Sequence, residues 1–284
     1  MTDATAIRLI VNADELGLTP EVTEGILKAH HEGIVTSASI MGNLANPAAL
    51  ARELAGAPAL GLGAHLVLVG GTPVSAPRDI PHLIEGTGQL PDSPAQLALR
   101  WLRGKLPEAE LETELLAQAE RLRAAGMQLD HLDTYLHLGF LPPVARAVER
   151  MAAQLRIRAI RSSMEVPNLT WFADLQRGLP LAALGAFGYL ARKKLGALRH
   201  GAESWGFAES GNLGRMRIME ILGRLGPGVH ELICHPGTTP QDGLTLAGHR
   251  VLERRLELEA LCDPKIRQAV ARRGITLCRF GDVF

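Results

Sequence analysis

Short apolar runs alternate with longer segments of helical period over most of this chain, and that alternation sets the order of its elements. Residues 9–11 form the first apolar run; Asp14 and Glu15 follow it directly, and Gly17 breaks the pattern. Thr19-Pro20-Glu21 then supplies an N-cap, a proline at the first helical position and a first-turn acid, which predicts a helix near 20–32. Further strands are expected within 33–41, 60–66, 128–133, 157–160, 229–234 and 275–278, where apolar and β-branched residues cluster between turn signals. Helices are expected from residue 46 and over 107–125, 141–155 and 247–262. About seven strands with helices between them describe an α/β protein on a parallel sheet, open or closed into a barrel.

Two stretches fall outside this rhythm. Residues 70–105 are rich in Gly and Pro and too long for a simple connector, the mark of an insert that carries binding loops or a lid. Inside a second insert near 165–215, residues 179–200 place Leu184, Phe187 and Leu195 near one helical face. Arg192, Lys193, Lys194 and Arg199 crowd the C-terminal half of that stretch. Such a helix either packs on the body with a solvated basic end, or touches lipid or shields a greasy substrate, with Leu184 and Phe187 as the lipid-contact candidates. No repeat or boundary divides the chain, so residues 1–284 read as one domain.

Composition narrows the class. Formal charges cancel to zero and only 4% of residues are aromatic, which argues against nucleic acid as a partner. Three separated cysteines, Cys234, Cys262 and Cys278, suggest no disulfide framework and fit a reducing compartment. No signal-peptide pattern or long apolar run is visible, so the expected location is cytoplasmic. Peripheral membrane contact through 179–200 and a homo-oligomer both remain compatible with the sequence.

Polar chemistry collects at the predicted strand ends. Asp14 and Glu15 close the first strand, and His65 follows a Gly-rich strand that lets other groups approach closely. His131-Leu-Asp133-Thr-Tyr135-Leu-His137 packs two histidines, an acid and a tyrosine into one short stretch, and His235 precedes a Pro-Gly turn. Each histidine alone fits a cap or a core position. Strand ends that each deliver a carboxylate or imidazole to one face of a parallel sheet, however, make a metal-hydrolase arrangement. It has imidazole and carboxylate ligands, an open position for water, and a spare acid and base.

Asn12-Ala-Asp14-Glu15-Leu-Gly17 resembles the Asn-Ala-Asp-Asp-aromatic-Gly motif of the YdjC-like carbohydrate deacetylases. Residues 33–37, Gly63-Ala-His65-Leu, His131-Leu-Asp133-Thr and Cys234-His235-Pro236 resemble later motifs of that family, in the right order. Arg161, the insert near 179–200 and Ser210-Gly-Asn-Leu213 resemble its hopanoid-biosynthesis (HpnK) branch. The resemblance implies a (β/α) barrel, TIM-like and distorted or seven-stranded. It also implies one divalent metal and removal of acetyl from an N-acetylated sugar, here a lipid-linked, hopanoid-type N-acetylglucosamine. On this reading Glu15, His65 and His137 hold the ion, Asp14 is the base and His235 protonates the leaving amine. His131, Asp133, Tyr135 and Arg161 stand around them or at the substrate, and His-rich ligation favours Zn²⁺ with Mg²⁺ as the alternative.

The sequence departs from the family at two positions. Glu15 stands where the motif has Asp, and Tyr135 where it has a further His. Either His137, expected on the same side of an extended chain, takes over as ligand, or Tyr135 ligates weakly, or the metal site is damaged. Two rivals follow: another metal-dependent barrel hydrolase, acting on an ester or phosphoester, and a non-catalytic sugar- or lipid-binding protein.

Overall fold

The computed structural model describes residues 5–44, 46–161, 202–207, 209–239 and 253–284. Its first strand, β1 (Ile7–Leu16), is buried from Leu9 to its end, as a parallel strand covered on both faces should be. On one side of β1 lie β2 (Ser37–Met41), β3 (Gly61–Leu66), β4 (Leu129–Thr134) and β5 (Ala159–Ile160). On the other lie β7 (Gly228–Cys234) and β6 (Glu203–Trp205), giving the order β5-β4-β3-β2-β1-β7-β6 with every pair parallel. An eighth strand, β8 (Ile275–Leu277), pairs with Ile7–Leu9 of β1, before β2 begins its own pairing at Asn12. The described sheet is therefore a seven-stranded path with one further strand, β6 being the one the apolar pattern did not predict.

This sheet is strongly curled. Arg161 directly follows β5, yet its Nε donates to Glu231 Oε1 on β7 at 2.7 Å. The two strands are five steps apart in the sheet order, a separation of about 24 Å in a flat sheet at about 4.8 Å per step. Only a barrel-like wall brings them together, which bears out the distorted (β/α) barrel. Among the described residues, β5 and β6 at the two ends of the path are not paired with each other.

The helices are α1 (Pro20–His31), α2 (Pro47–Leu54), α3 (Pro94–Leu102), α4 (Glu108–Ala124), α5 (Pro142–Leu155), α6 (Arg215–Arg224), α7 (Arg254–Leu261) and α8 (Pro264–Arg272). Four start alike: Thr19, Asn46, Ser93 and Asp263 each accept a backbone N–H from the first turn, and proline follows each. The 70–105 stretch is not irregular throughout, because Ser93-Pro94 opens α3, which buries only Leu97 and so gave little periodic signal. The loop before it is pinned down. Glu114 on α4 accepts Val74 and Ser75 N–H at 2.9 and 2.8 Å, and Glu110 accepts those of His82 and Leu83 at 2.7 and 3.0 Å. The helix expected within 179–200, with Leu184 and Phe187, falls outside the described residues. Among the described residues no helix is long and apolar enough to cross a membrane.

Candidate metal and catalytic site

Parallel strands deliver their C-terminal ends to one edge of the curled sheet, where Asp14 (β1), His65 (β3), Asp133 (β4) and His235 (after β7) arrive. Arg161 sits at the centre of this edge. Its Nη1 and Nη2 donate to Asp14 Oδ2 and Oδ1 at 2.7 and 2.6 Å, Nη1 also lies 2.9 Å from Asp133 Oδ2, and Nε reaches Glu231. Three buried carboxylates thus share one buried guanidinium. Burial works against charge on Asp14, but Arg161, His65 and His235 outweigh it and hold its carboxyl far below the usual range. For Glu231 the balance goes the other way, and burial raises its pKa despite the pairing with Arg161.

His65 lies between two of these acids. Nδ1 is 2.7 Å from Asp133 Oδ1, so Nδ1–H donates there and Nε2 turns toward Asp14 Oδ2, 4.0 Å away. Burial opposes charge on this imidazole, yet Asp133 and Asp14 raise its pKa. Asp14, His65 and Asp133 offer ligand atoms that lie within 4.8 Å of one another, a group able to hold a metal ion. A divalent cation fits on two observations. His65, its Nδ1–H taken by Asp133, turns the Nε2 lone pair into a site walled by acid oxygens, Asp14 Oδ2 being 4.0 Å away, which is the donor chemistry of a divalent-metal site. The acids around Arg161 also carry more negative charge than one guanidinium cancels.

The other sequence-predicted residues occupy the surroundings. Glu15 adopts a left-handed backbone (φ 69°) that turns its side chain away from the strand alternation, and its carboxylate is paired with Arg254 of α7. Burial opposes its charge, but Arg254 and His235 lower its pKa. His137 is not on an extended chain as the strand period suggested. β4 ends at Thr134 and a 3₁₀ turn follows over Tyr135–Phe140, in which Leu136 and His137 have φ of 57° and 53°. The His137 ring packs on Phe207 at 4.0 Å between centroids, and burial together with Arg161 pushes its pKa down to about 3, so it is a neutral imidazole. Tyr135 sets its ring edge-on to His65 at 5.6 Å. His235 is held by Glu257 of α7, whose Oε2 accepts the His235 backbone N–H at 2.6 Å and lies 3.9 Å from Nδ1.

Sequence reasoning missed Glu231, Arg254, Glu257, Ser39 and Asn12. Asn12 Nδ2 bridges Asp14 Oδ1 and Ser39 Oγ, both at 2.8 Å, and Glu257 also accepts Gly211 N–H at 2.7 Å. Two of them carried a readable signal: Glu231 is a charged residue inside an apolar strand, and Asn12 interrupts the first apolar run.

The profile described as YdjC-like protein matches residues 8–272. A carbohydrate deacetylase of Geobacillus stearothermophilus is 28% identical over 97% of this chain and 97% of its own. A chitooligosaccharide deacetylase of Salmonella schwarzengrund is 31% identical over 97% of this chain and 98% of its own. The crystal structure of a candidate cellobiose-phosphate cleavage protein from Enterococcus faecalis V583 superposes with a TM-score of 0.77. It is 21% identical and covers 98% of this chain and 99% of that one, which is a likeness of fold.

Proposed function

Because the chain belongs to the YdjC-like family, we propose that it is a carbohydrate deacetylase that hydrolyses the amide of an N-acetylated sugar. The observation that carries this reading is the convergence of Asp14, His65 and Asp133 at one sheet edge, with His235 on the neighbouring strand end. Asp14, kept ionised by Arg161, receives the proton of the attacking water. As the carbon–nitrogen bond breaks, His235 gives a proton to the leaving amine, and acetate and the free amino sugar result. A divalent ion bound here supplies Lewis acidity at the acetyl carbonyl and lowers the pKa of water. His65 would hold it through Nε2, with Glu15 and His137 as the further ligands, while Asp133 orients His65. Imidazole ligation favours Zn²⁺ over Mg²⁺.

The finer substrate in this proposal is a lipid-linked, hopanoid-type N-acetylglucosamine, supported by the apolar and basic 179–200 stretch. A second reading, a non-catalytic sugar- or lipid-binding protein, draws on Glu15 already being engaged by Arg254. Acetate release from N-acetylglucosamine conjugates, measured with metal analysis of the purified protein, decides. Release that a chelator abolishes and Zn²⁺ restores supports the deacetylase; metal-free protein that binds sugar without releasing acetate overturns it.

A further inference from the structure

His131 is fully buried on β4, and both its ring nitrogens are engaged. Nδ1 lies 2.6 Å from Asp130 Oδ1, and Nε2 lies 3.1 Å from Ser39 Oγ on β2. Ser39 donates to Asp133 Oδ2 at 2.6 Å, and Asp133 Oδ1 in turn accepts from His65 Nδ1 at 2.7 Å. These contacts form one chain, Asp130–His131–Ser39–Asp133–His65. Its far end opens on a cavity of about 610 Å³ lined by Asp130, Arg279, Gly61 and Gly281.

Donor counting fixes the direction. An ionised Asp133 only accepts, so the single hydroxyl proton of Ser39 goes to it. Ser39 Oγ must then accept from both Asn12 Nδ2, at 2.8 Å, and His131 Nε2–H, and because the Asp130 carboxylate accepts from Nδ1–H the His131 ring donates at both nitrogens. The ring reaches β2 from β4 only by crossing β3, and Gly63 makes the room. A Cβ on Gly63 would sit 2.2 Å from His131 Nε2, and Phe280 closes the chain's other flank by stacking on the ring at 4.1 Å.

We propose that His131 and Ser39, anchored by Asp130, are positioning residues: through Asp133 they hold His65 with Nδ1–H bonded and the Nε2 lone pair facing the site. The effect on metal affinity rests on the deacetylase reading above; the effect on the His65 tautomer does not.

¹⁵N NMR of the His65 ring in metal-free protein, at a pH where the ring is neutral, reads the tautomer directly. Wild type should show Nδ1–H alone. His131→Phe, which keeps the stack on Phe280, and Ser39→Ala should each show a mixture of tautomers. Zn²⁺ titration should give affinities about 10–100-fold weaker for both, the usual worth of an outer partner of a ligand histidine. Gly63→Ala should reproduce the loss by displacing the ring. His131→Gln, which restores a donor at the Nε2 position, should recover most of it. Circular dichroism checks the fold, and Ser39→Ala carries the test if His131→Phe does not fold. An unchanged His65 tautomer in the folded variants overturns the proposal. Wild-type protein that binds no Zn²⁺ overturns the metal reading instead, and the tautomer result still decides the positioning role.

Discussion

Arg161 and Asp14 form a two-pronged ion pair across the curled sheet, with Nη1–Oδ2 at 2.7 Å and Nη2–Oδ1 at 2.6 Å, and both side chains are about 2% exposed. A guanidinium presents two parallel donors to a carboxylate in a way an ammonium cannot. The pair therefore does two things at once: it fixes the direction of Asp14 and keeps it ionised.

Arg161→Lys should separate these effects. Losing the fork lets the Asp14 pKa rise, so the acidic limb of the kcat/KM profile moves to higher pH. Stability has the same sign. An acid whose pKa is depressed on folding contributes stability above its unfolded value, about 3.9, and loses it as pH falls through the folded value. Acid unfolding of Arg161→Lys should then begin at higher pH than that of wild type. Arg161→Ala strands buried acids and should cost about 3–5 kcal/mol in denaturant melts. An unmoved acidic limb and an unmoved acid-unfolding midpoint in Arg161→Lys would show that the fork does not govern the ionisation of Asp14.

The two acids of the β1 corner are assigned different work, and metal analysis tests it. Glu15→Gln should lower Zn²⁺ affinity, while Asp14→Asn should keep the metal and lose about 10²–10⁴ in turnover, the usual worth of a general base. Asp133→Asn should weaken binding about 10–100-fold by releasing His65. Full metal content in Glu15→Gln, with loss in Asp14→Asn and Asp133→Asn, would move the ion onto the group formed by Asp14, His65 and Asp133. Tyr135→His, which restores the family residue, should tighten binding if His137 alone is a poor third ligand.

Where strand ends carried polar residues, the site was legible: Asp14, His65, Asp133 and His235 needed only parallel strands to meet. What could not be read was pairing over distance. Arg161 meets Asp14 from 147 residues away, and Arg254 meets Glu15 from 239 away. Neither contact leaves a local pattern, because both depend on how far the sheet curls. His137 failed for a local reason: two successive left-handed residues, neither of them Gly, Asn or Asp, bend a stretch that otherwise reads as extended. Gly63 shows the opposite case, since a glycine inside a strand advertised a close approach before the His131 ring was known to fill it.

Thiol reactivity should follow burial. Burial and Asp282 push the Cys278 thiol up to about 11, and burial raises Cys234, at the C-terminal edge of β7, well above its usual value. Cys262 is raised less far and is only half-buried. Iodoacetamide at about pH 8, where an ordinary thiol of pKa about 8.5 reacts, should modify Cys262 first, with Cys234 and Cys278 following only after unfolding. Peptide mapping by mass spectrometry reads the order. Rapid native labelling of Cys234 would mean that the edge beside His235 opens in solution.

A lipid-linked substrate, as proposed above, would make the most specific demand on the sequence. A polar oligosaccharide needs no greasy helix beside its site, whereas a lipid-linked sugar must be shielded from water or met at a membrane. Burying apolar surface contributes roughly 25 cal/mol per Å², so contacts from Leu184, Phe187 and their neighbours would add a few kcal/mol to lipid binding. Arg192, Lys193, Lys194 and Arg199 would hold the same stretch at anionic headgroups, at about 1 kcal/mol each. Replacing Leu184 and Phe187 by Ser should therefore lower turnover of a lipid-linked N-acetylglucosamine while leaving that of a soluble conjugate nearly unchanged. Added salt should weaken binding of wild type to vesicles containing phosphatidylserine, because salt screens the attraction between cationic side chains and anionic headgroups. Equal loss on both substrates, with a lower melting temperature, would make 179–200 a packed helix of the body and leave the lipid substrate without support from this chain.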